Sequence, residues 1–163
     1  MNISILNFNK FDHEFFMREA LKEAERAGKR GDRPIGAVIV HNGDIISLSS
    51  SKYRTMDSNV AHAENTAIFN CASYLKKYGR ECTIYTTVEP CIMCLTTIVM
   101  AKIKNIVFAL EDKYMNMSPF INSNPYIVER IDNYIGKVLE VESIELYRKY
   151  APHDLDIMTK IYN

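Results

Sequence analysis

The sequence predicts an α/β fold built on one mixed sheet of five strands. The predicted strands are the apolar, β-branched runs at 34–40, 45–49, 83–88, 103–109 and 138–141. Asn42-Gly43 separates the first two runs, and this dipeptide is the strongest short signal for a hairpin, so we expect those strands to be antiparallel. The later runs alternate with helical segments, which indicates right-handed crossovers and parallel pairing of the last three strands.

Helical periodicity and end signals define the segments between the strands. We expect helices at about 13–27, 61–77, 91–101, 125–133 and 143–150, with a short helical tail at about 153–162. Asp12 is the predicted cap of the first helix and Gly28 its predicted stop. Pro152 should break the last helical stretch, because proline cannot continue a helix interior.

Composition bounds the class of protein. A chain of 163 residues with 47% hydrophobic content suits a single domain, with its core at about 33–110 and a C-terminal helical extension at about 143–163. Twenty basic and twenty acidic residues cancel, so no overall field draws the chain to nucleic acid or an anionic membrane. The N-terminal sequence has no basic leader, and we find no membrane span. Four cysteines suit reduced thiols, and we therefore expect a cytoplasmic protein.

A Pro-Cys-x-x-Cys run follows the third predicted strand. Pro90 is well placed at the start of a helix, so Cys91 and Cys94 should share one face of its first turn. The positive end of the helix dipole favours ionised thiols, and two thiolates are a good half-site for zinc. His62, at the start of the preceding helix, can supply the third ligand.

Three protein ligands would leave a fourth zinc position for water, which is typical of a catalytic site. Glu64, two residues after His62, is the candidate proton carrier that turns a ring amine into a carbonyl and ammonia. Two other interpretations stay open. A Cys-x-x-Cys after a strand is also typical of a dithiol redox motif, and a fourth ligand from Cys71 or Cys82 would make the zinc structural.

His-x-Glu followed by Pro-Cys-x-x-Cys is the signature of zinc deaminases. On these motifs the chain resembles the cytidine/deoxycytidylate deaminase superfamily, over about residues 33–109. Segments 34–38, 62–68, 86–94 and 100–103 look most like the branch of bacterial guanine deaminases and tRNA adenosine deaminases.

The resemblance implies a three-layer α-β-α sandwich, with helices on both faces of the sheet, and a homodimer. It also implies one Zn²⁺ held by His62, Cys91 and Cys94, with Glu64 as proton shuttle. The Ala63 backbone amide would orient the substrate.

Departures from the branch bear on the substrate. Ser51 stands where these enzymes usually place a base-holding asparagine, and Asn122 stands where guanine deaminases have an aspartate. Tyr162 is a loose counterpart of an aromatic residue over the pocket, and Glu89 is a further candidate contact. The acidic C-terminal segment does not suit tRNA, so the sequence favours a small nucleobase or nucleoside, guanine-type above others. A tRNA adenosine deaminase is the alternative, supported by the basic run at 29–33.

Overall fold

The structure, a computed structural model, describes residues 12–160. Five strands form one sheet in the order β2-β1-β3-β4-β5. These strands are β1 (Gly36–His41), β2 (Asp44–Ser50), β3 (Cys82–Val88), β4 (Asn105–Leu110) and β5 (Asn133–Ile135). The helices are α1 (His13–Arg30), α2 (Ala63–Asn70), α3 (Ala72–Tyr78), α4 (Ile92–Met100), α5 (Met117–Ser123), α6 (Pro125–Val128), α7 (Glu140–Tyr150) and α8 (Pro152–Met158). None of the described helices combines the length and apolarity needed to cross a bilayer.

The predicted strand directions are confirmed. β1 is antiparallel to both β2 and β3, whereas β3, β4 and β5 are parallel. Asn42 and Gly43 have φ values of 52° and 88°, the left-handed pair that a two-residue hairpin turn requires. The carboxyl ends of β3 and β4 therefore lie at one edge of the sheet, and the start of β1 lies beside them.

Helices cover both faces of the sheet, as the three-layer sandwich requires. On one face, Ala67 of α2 and Leu95 and Ile98 of α4 pack in a core cluster with Ile39 of β1. On the other face, the apolar side of α1 packs against Val38 and the neighbouring strands. Because alternate residues of a strand point to opposite faces, β1 contributes to both clusters and is fully buried.

Two predicted helix boundaries in the first half are wrong. α1 passes Gly28, whose Cα lies against the Tyr150 ring, and ends at Gly31, where φ is 90°. The predicted helix at 61–77 is split into α2 and α3 at Cys71, where φ is −125°. Pro90 precedes α4 rather than lying in its first turn, because Cys91 is the N-cap.

The predicted strand at 138–141 and the predicted helix at 125–133 are also wrong. β5 lies at Asn133–Ile135 and pairs with the first half of β4. Lys137 and Leu139 have positive φ values, so the extended chain ends before α7 begins. The segment before β5 forms the two short helices α5 and α6 instead. The predicted lead at residues 1–10 and Tyr162 lie outside the described residues.

Candidate metal centre and active-site cavity

Three side chains from two helix starts meet at the carboxyl edge of the sheet. His62 is the N-cap of α2, Cys91 is the N-cap of α4, and Cys94 lies in the first turn of α4. The Nδ1 atom of His62 is 3.5 Å from Cys91 Sγ and 3.4 Å from Cys94 Sγ. All three candidate ligand atoms lie within 4.8 Å of one another.

This arrangement fits zinc. A tetrahedral ion with bonds of about 2.05 Å to nitrogen and about 2.3 Å to sulfur places those atoms about 3.5 Å apart, which matches both His62 distances. Hydrogen bonds from Cys94 and His62 lower the pKa of Cys91 to about 4, although burial opposes the shift. The shared proton raises the pKa of Cys94. These contacts favour the thiolate form of Cys91, and both sulfurs can serve as ligands once the Cys94 proton leaves.

Glu64 lies beside this group with one oxygen unpartnered. The residue is 3% exposed, and its Oε1 atom accepts a hydrogen bond from Thr86 Oγ1 at 3.4 Å. Its Oε2 atom is buried and has no hydrogen-bond partner in the described chain. Burial raises the pKa of Glu64. A buried carboxylate with a free oxygen at a cavity is suited to accept and release a proton.

A cavity of about 210 Å³ opens from His62 and Glu64. Its acidic wall contains Glu89, whose Oε1 atom accepts from Tyr134 Oη at 2.8 Å and whose Oε2 atom accepts from the Asp112 backbone amide at 3.1 Å. Burial raises the pKa of the Glu89 carboxyl group and that of the Asp112 carboxyl group, which also lines the cavity. The cavity is smaller than the roughly 300–1,000 Å³ of drug-sized pockets, so it suits a single base.

The C-terminal helix α8 forms one wall of this cavity. Asp154, Ile157 and Met158 line it, and the Met158 carbonyl accepts backbone hydrogen bonds from the segment after Asp112. We did not predict these contacts from the sequence. The signal available was Pro152, which ends the preceding helix and allows the chain to turn back over the sheet edge.

Comparison with known proteins decides the family. Residues 10–110 match the family model described as the cytidine and deoxycytidylate deaminase zinc-binding region. The chain belongs to this family. Its members are zinc-dependent hydrolases that cleave a C–N bond of a nucleobase or nucleoside, which favours the zinc interpretation over a dithiol redox motif.

Two curated relatives of this deaminase are tRNA-specific adenosine deaminases. The one from Aquifex aeolicus is 41% identical over 101 residues, 61% of this chain and 67% of the relative. The one from Buchnera aphidicola subsp. Baizongia pistaciae is 33% identical over 155 residues, 92% of this chain and 94% of the relative.

Solved structures agree with the fold. One, from a study of A-to-I editing by tRNA:A34 deaminases, has a TM-score of 0.72 at 33% identity and covers 81% of this chain and 98% of its own. A guanine deaminase from Bacillus subtilis has a TM-score of 0.57 at 38% identity, over 63% of this chain and 66% of its own.

The structure separates the predicted site residues of this deaminase into two groups. Ala63, like His62 and Glu64, lies at the start of α2, and Glu89 lines the cavity. Ser51 is buried behind the cavity wall, where its backbone amide donates to Ile35, and Asn122 is exposed on α5. Neither Ser51 nor Asn122 lines the cavity.

The remaining cysteines stay apart from the metal group. The thiols of Cys71 and Cys82 donate to the carbonyl oxygens of Ala67 and Tyr78. Neither cysteine belongs to the group formed by His62, Cys91 and Cys94. A four-ligand structural zinc site built on these thiols receives no support.

Proposed function

We propose that this chain is a tRNA-specific adenosine deaminase, which converts adenosine at the wobble position of a tRNA to inosine and releases ammonia. The observation that carries the proposal is the unpartnered Glu64 oxygen beside the group of His62, Cys91 and Cys94, in a base-sized cavity. The substrate class is supported by the Buchnera relative, which aligns over 92% of this chain. The cytoplasmic location expected from the sequence is part of this proposal.

Each site residue has a defined role in this reaction. His62, Cys91 and Cys94 would hold zinc, which supplies Lewis-acid activation of the attacking water. Glu64 takes a proton from that water and passes it to a ring nitrogen. It then takes the second proton from the new hydroxyl group on the ring carbon and gives it to the departing amine, so that a carbonyl and ammonia form. Its raised pKa suits this exchange, because the carboxyl group must hold the proton between the two transfers. The amide of Ala63, beside His62, would orient the base.

The cavity favours a neutral base. Its interior carries the carboxyl groups of Glu64, Glu89 and Asp112, which repel anions. A nucleotide in a tRNA would therefore insert its base and leave its sugar and phosphates outside, as base-flipping enzymes require. The hydrogen bonds that Glu89 accepts from the Tyr134 hydroxyl and the Asp112 amide would hold the acidic wall in place.

Guanine deamination is the second candidate. The wall formed by α8 covers part of the cavity, which suits a small free base, and the Bacillus subtilis guanine deaminase supports this substrate at 38% identity. The guanine-type substrate favoured by the sequence nevertheless has less support than the tRNA alternative, because both curated relatives described above are named tRNA-specific adenosine deaminases.

A homodimer is part of the proposal. Phe69, Met100 and Tyr126 are 74%, 68% and 50% exposed. They form one surface, since Phe69 and Met100 line the same groove and Tyr126 Oη lies 4.0 Å from the Met100 sulfur. Exposed apolar side chains that adjoin one another mark an interface. Light scattering should give a dimer mass for the wild type and a monomer mass for Met100→Glu.

The function is tested by incubating the zinc-loaded protein with a tRNA that carries adenosine in its anticodon loop and, separately, with guanine, guanosine, adenosine and cytidine. We expect inosine and ammonia from the tRNA. Glu64→Gln should abolish turnover, whereas Glu145→Gln, at an exposed position, should retain it. Ammonia from guanine, with no change in the tRNA, would establish the second candidate instead.

A further inference from the structure

Arg33 stands apart from the rest of the basic run at 29–33, because it alone in that run lines the catalytic cavity. Lys29 pairs with Glu25, and Arg30 pairs with the buried Asp32. The Arg33 side chain is 35% exposed, which places its guanidinium at the cavity mouth. The basic run predicted from the sequence thus delivers one cation to the active site.

The Arg33 guanidinium is held on two sides. Its Nε atom donates to Asp154 Oδ2 at 3.0 Å, and its central carbon lies 4.0 Å from the centroid of the Tyr53 ring. Within residues 12–160, its two terminal nitrogens make no hydrogen bond. A planar guanidinium that is fixed through Nε and stacked on a ring presents those nitrogens as an oriented fork, the geometry that binds phosphate oxygens.

Charge is divided between the mouth and the interior of the cavity. Arg33 and Arg54 flank a single anion at the mouth, since Arg54 Nη2 lies 4.0 Å from Asp154 Oδ2. Deeper in the cavity lie the buried carboxyl groups of Glu64 and Glu89, which are 3% and 6% exposed. A phosphate is therefore repelled from the interior and attracted to the mouth, while a neutral base can enter. A free base has no phosphate and would make no contact with the terminal nitrogens of Arg33.

We infer that Arg33, assisted by Arg54, forms a phosphate subsite that binds a phosphate of the nucleotide whose base is deaminated. For an RNA substrate this is a linkage next to the flipped nucleotide, and in this form the inference rests on the proposed function. For a free nucleotide it is the terminal phosphate. Contacts of this kind fix the register of the substrate. The subsite thus selects nucleotides over free bases.

The test removes each partner of the contact separately. One RNA stem-loop carries the target adenosine with natural linkages, and its twin carries uncharged methylphosphonates on both sides of that nucleotide. For the wild type, kcat/KM should fall about tenfold on the uncharged RNA. Arg33→Gln should show a similar loss on the natural RNA, mainly through KM, and no further loss on the uncharged one. Arg33→Lys should fall between, because it keeps the charge and loses the fork.

Arg148→Gln is the control variant. It removes an exposed cation on α7, and its kcat/KM on each of the two RNAs should equal that of the wild type. If Arg33→Gln remains as sensitive to the uncharged linkages as the wild type, the two losses are independent and the subsite is refuted. Melting temperatures of the variants should match the wild type, and Arg33→Lys serves as the comparison should Arg33→Gln unfold.

Failure of the tRNA proposal can be told apart from failure of the subsite. If no RNA is deaminated, the best nucleoside substrate is compared with its 5′-monophosphate. If the wild type prefers the monophosphate and Arg33→Gln does not, the subsite is upheld and only the proposal of a tRNA substrate is rejected. Equal use of both compounds, or a free base as the best substrate, overturns the subsite.

Discussion

Asp32 anchors the loop at 51–59, and Asp32→Asn should weaken the attachment of this loop to the rest of the fold. The Asp32 Oδ1 atom accepts the backbone amides of Arg54 and Thr55, each at 2.8 Å. Its Oδ2 atom accepts the Thr55 hydroxyl at 2.6 Å and Arg30 Nε at 3.0 Å. The substitution keeps the size of the side chain. It replaces one acceptor oxygen with an NH₂ group and removes the charge.

The size of the loss follows from these contacts. The new NH₂ group faces Arg30 Nε, so a charge-assisted hydrogen bond worth about 1.5–3 kcal/mol becomes a contact between two donors. The two amide bonds at Oδ1 survive without the charge, and the Thr55 hydroxyl can turn to accept. We therefore expect Asp32→Asn to lower the free energy of unfolding by about 2–4 kcal/mol at pH 7. Urea denaturation measures it.

The loss should depend on pH. Burial alone would raise the pKa of Asp32, but hydrogen bonds from Thr55, Arg30 and Arg54 outweigh it and hold that pKa below its ordinary value of 3.8. The ionised form is therefore favoured by folding, and its contribution is fully present above that value. The difference between wild type and Asp32→Asn should shrink as the pH falls below 3.8.

Asp32→Asn should also weaken substrate binding at the active site. The loop carries Tyr53, whose ring supports Arg33 at the cavity mouth. We expect the KM for a nucleotide substrate to rise in Asp32→Asn with a smaller change in kcat. Asp57→Asn is the matched control, since Asp57 is exposed in the same loop and should change stability by less than about 0.5 kcal/mol. Equal stabilities of the two variants, or a difference that grows in acid, would refute this reasoning.

Three further predictions concern packing around the site. Tyr134→Phe removes the hydrogen bond to Glu89 and should cost about 1–3 kcal/mol of unfolding free energy, measured by urea denaturation. Gly36→Ala should cost about 3 kcal/mol in the same assay, because its Cβ would lie 2.0 Å from the Ala20 carbonyl oxygen. Cys82 should resist alkylation in the native protein at pH 8, followed by mass spectrometry, because burial raises the pKa of its thiol to about 12.

Each of these three predictions has its own control. Tyr126→Phe removes a half-exposed hydroxyl and should be near neutral, so an equal loss there would contradict the role given to Tyr134. Gly31→Ala meets no atom within 4 Å and should cost only about 1 kcal/mol for its positive φ, so a cost equal to that of Gly36→Ala would rule out the steric cause. Alkylation of Cys82 as fast as in urea would show that its thiol is accessible.

The metal group could be predicted because its signals are local. A strand followed by Pro-Cys-x-x-Cys fixes Cys91 and Cys94 at a helix start, and the spacing of His62 and Glu64 places both at another. The Asn-Gly turn fixed the hairpin in the same way, since the left-handed φ of Asn42 needs only its own neighbours.

The elements set by distant contacts could not be predicted. β5 is fixed by pairing with β4, 28 residues earlier, rather than by its own three residues. The Tyr150 ring occupies the space that a side chain at Gly28 would need, so this glycine serves packing and does not mark the end of α1. The α8 wall is held by distant contacts, among them the Arg33–Asp154 pair and the packing of Leu155, and no local pattern near Pro152 predicts which surface the chain will cover.

Zinc content tests the central claim most directly. We predict one zinc per chain in the purified wild type and in Glu64→Gln, and a loss of zinc in His62→Ala, because the proposed site uses the imidazole nitrogen as a ligand and leaves the carboxylate unbound. A full zinc complement in His62→Ala would contradict the account.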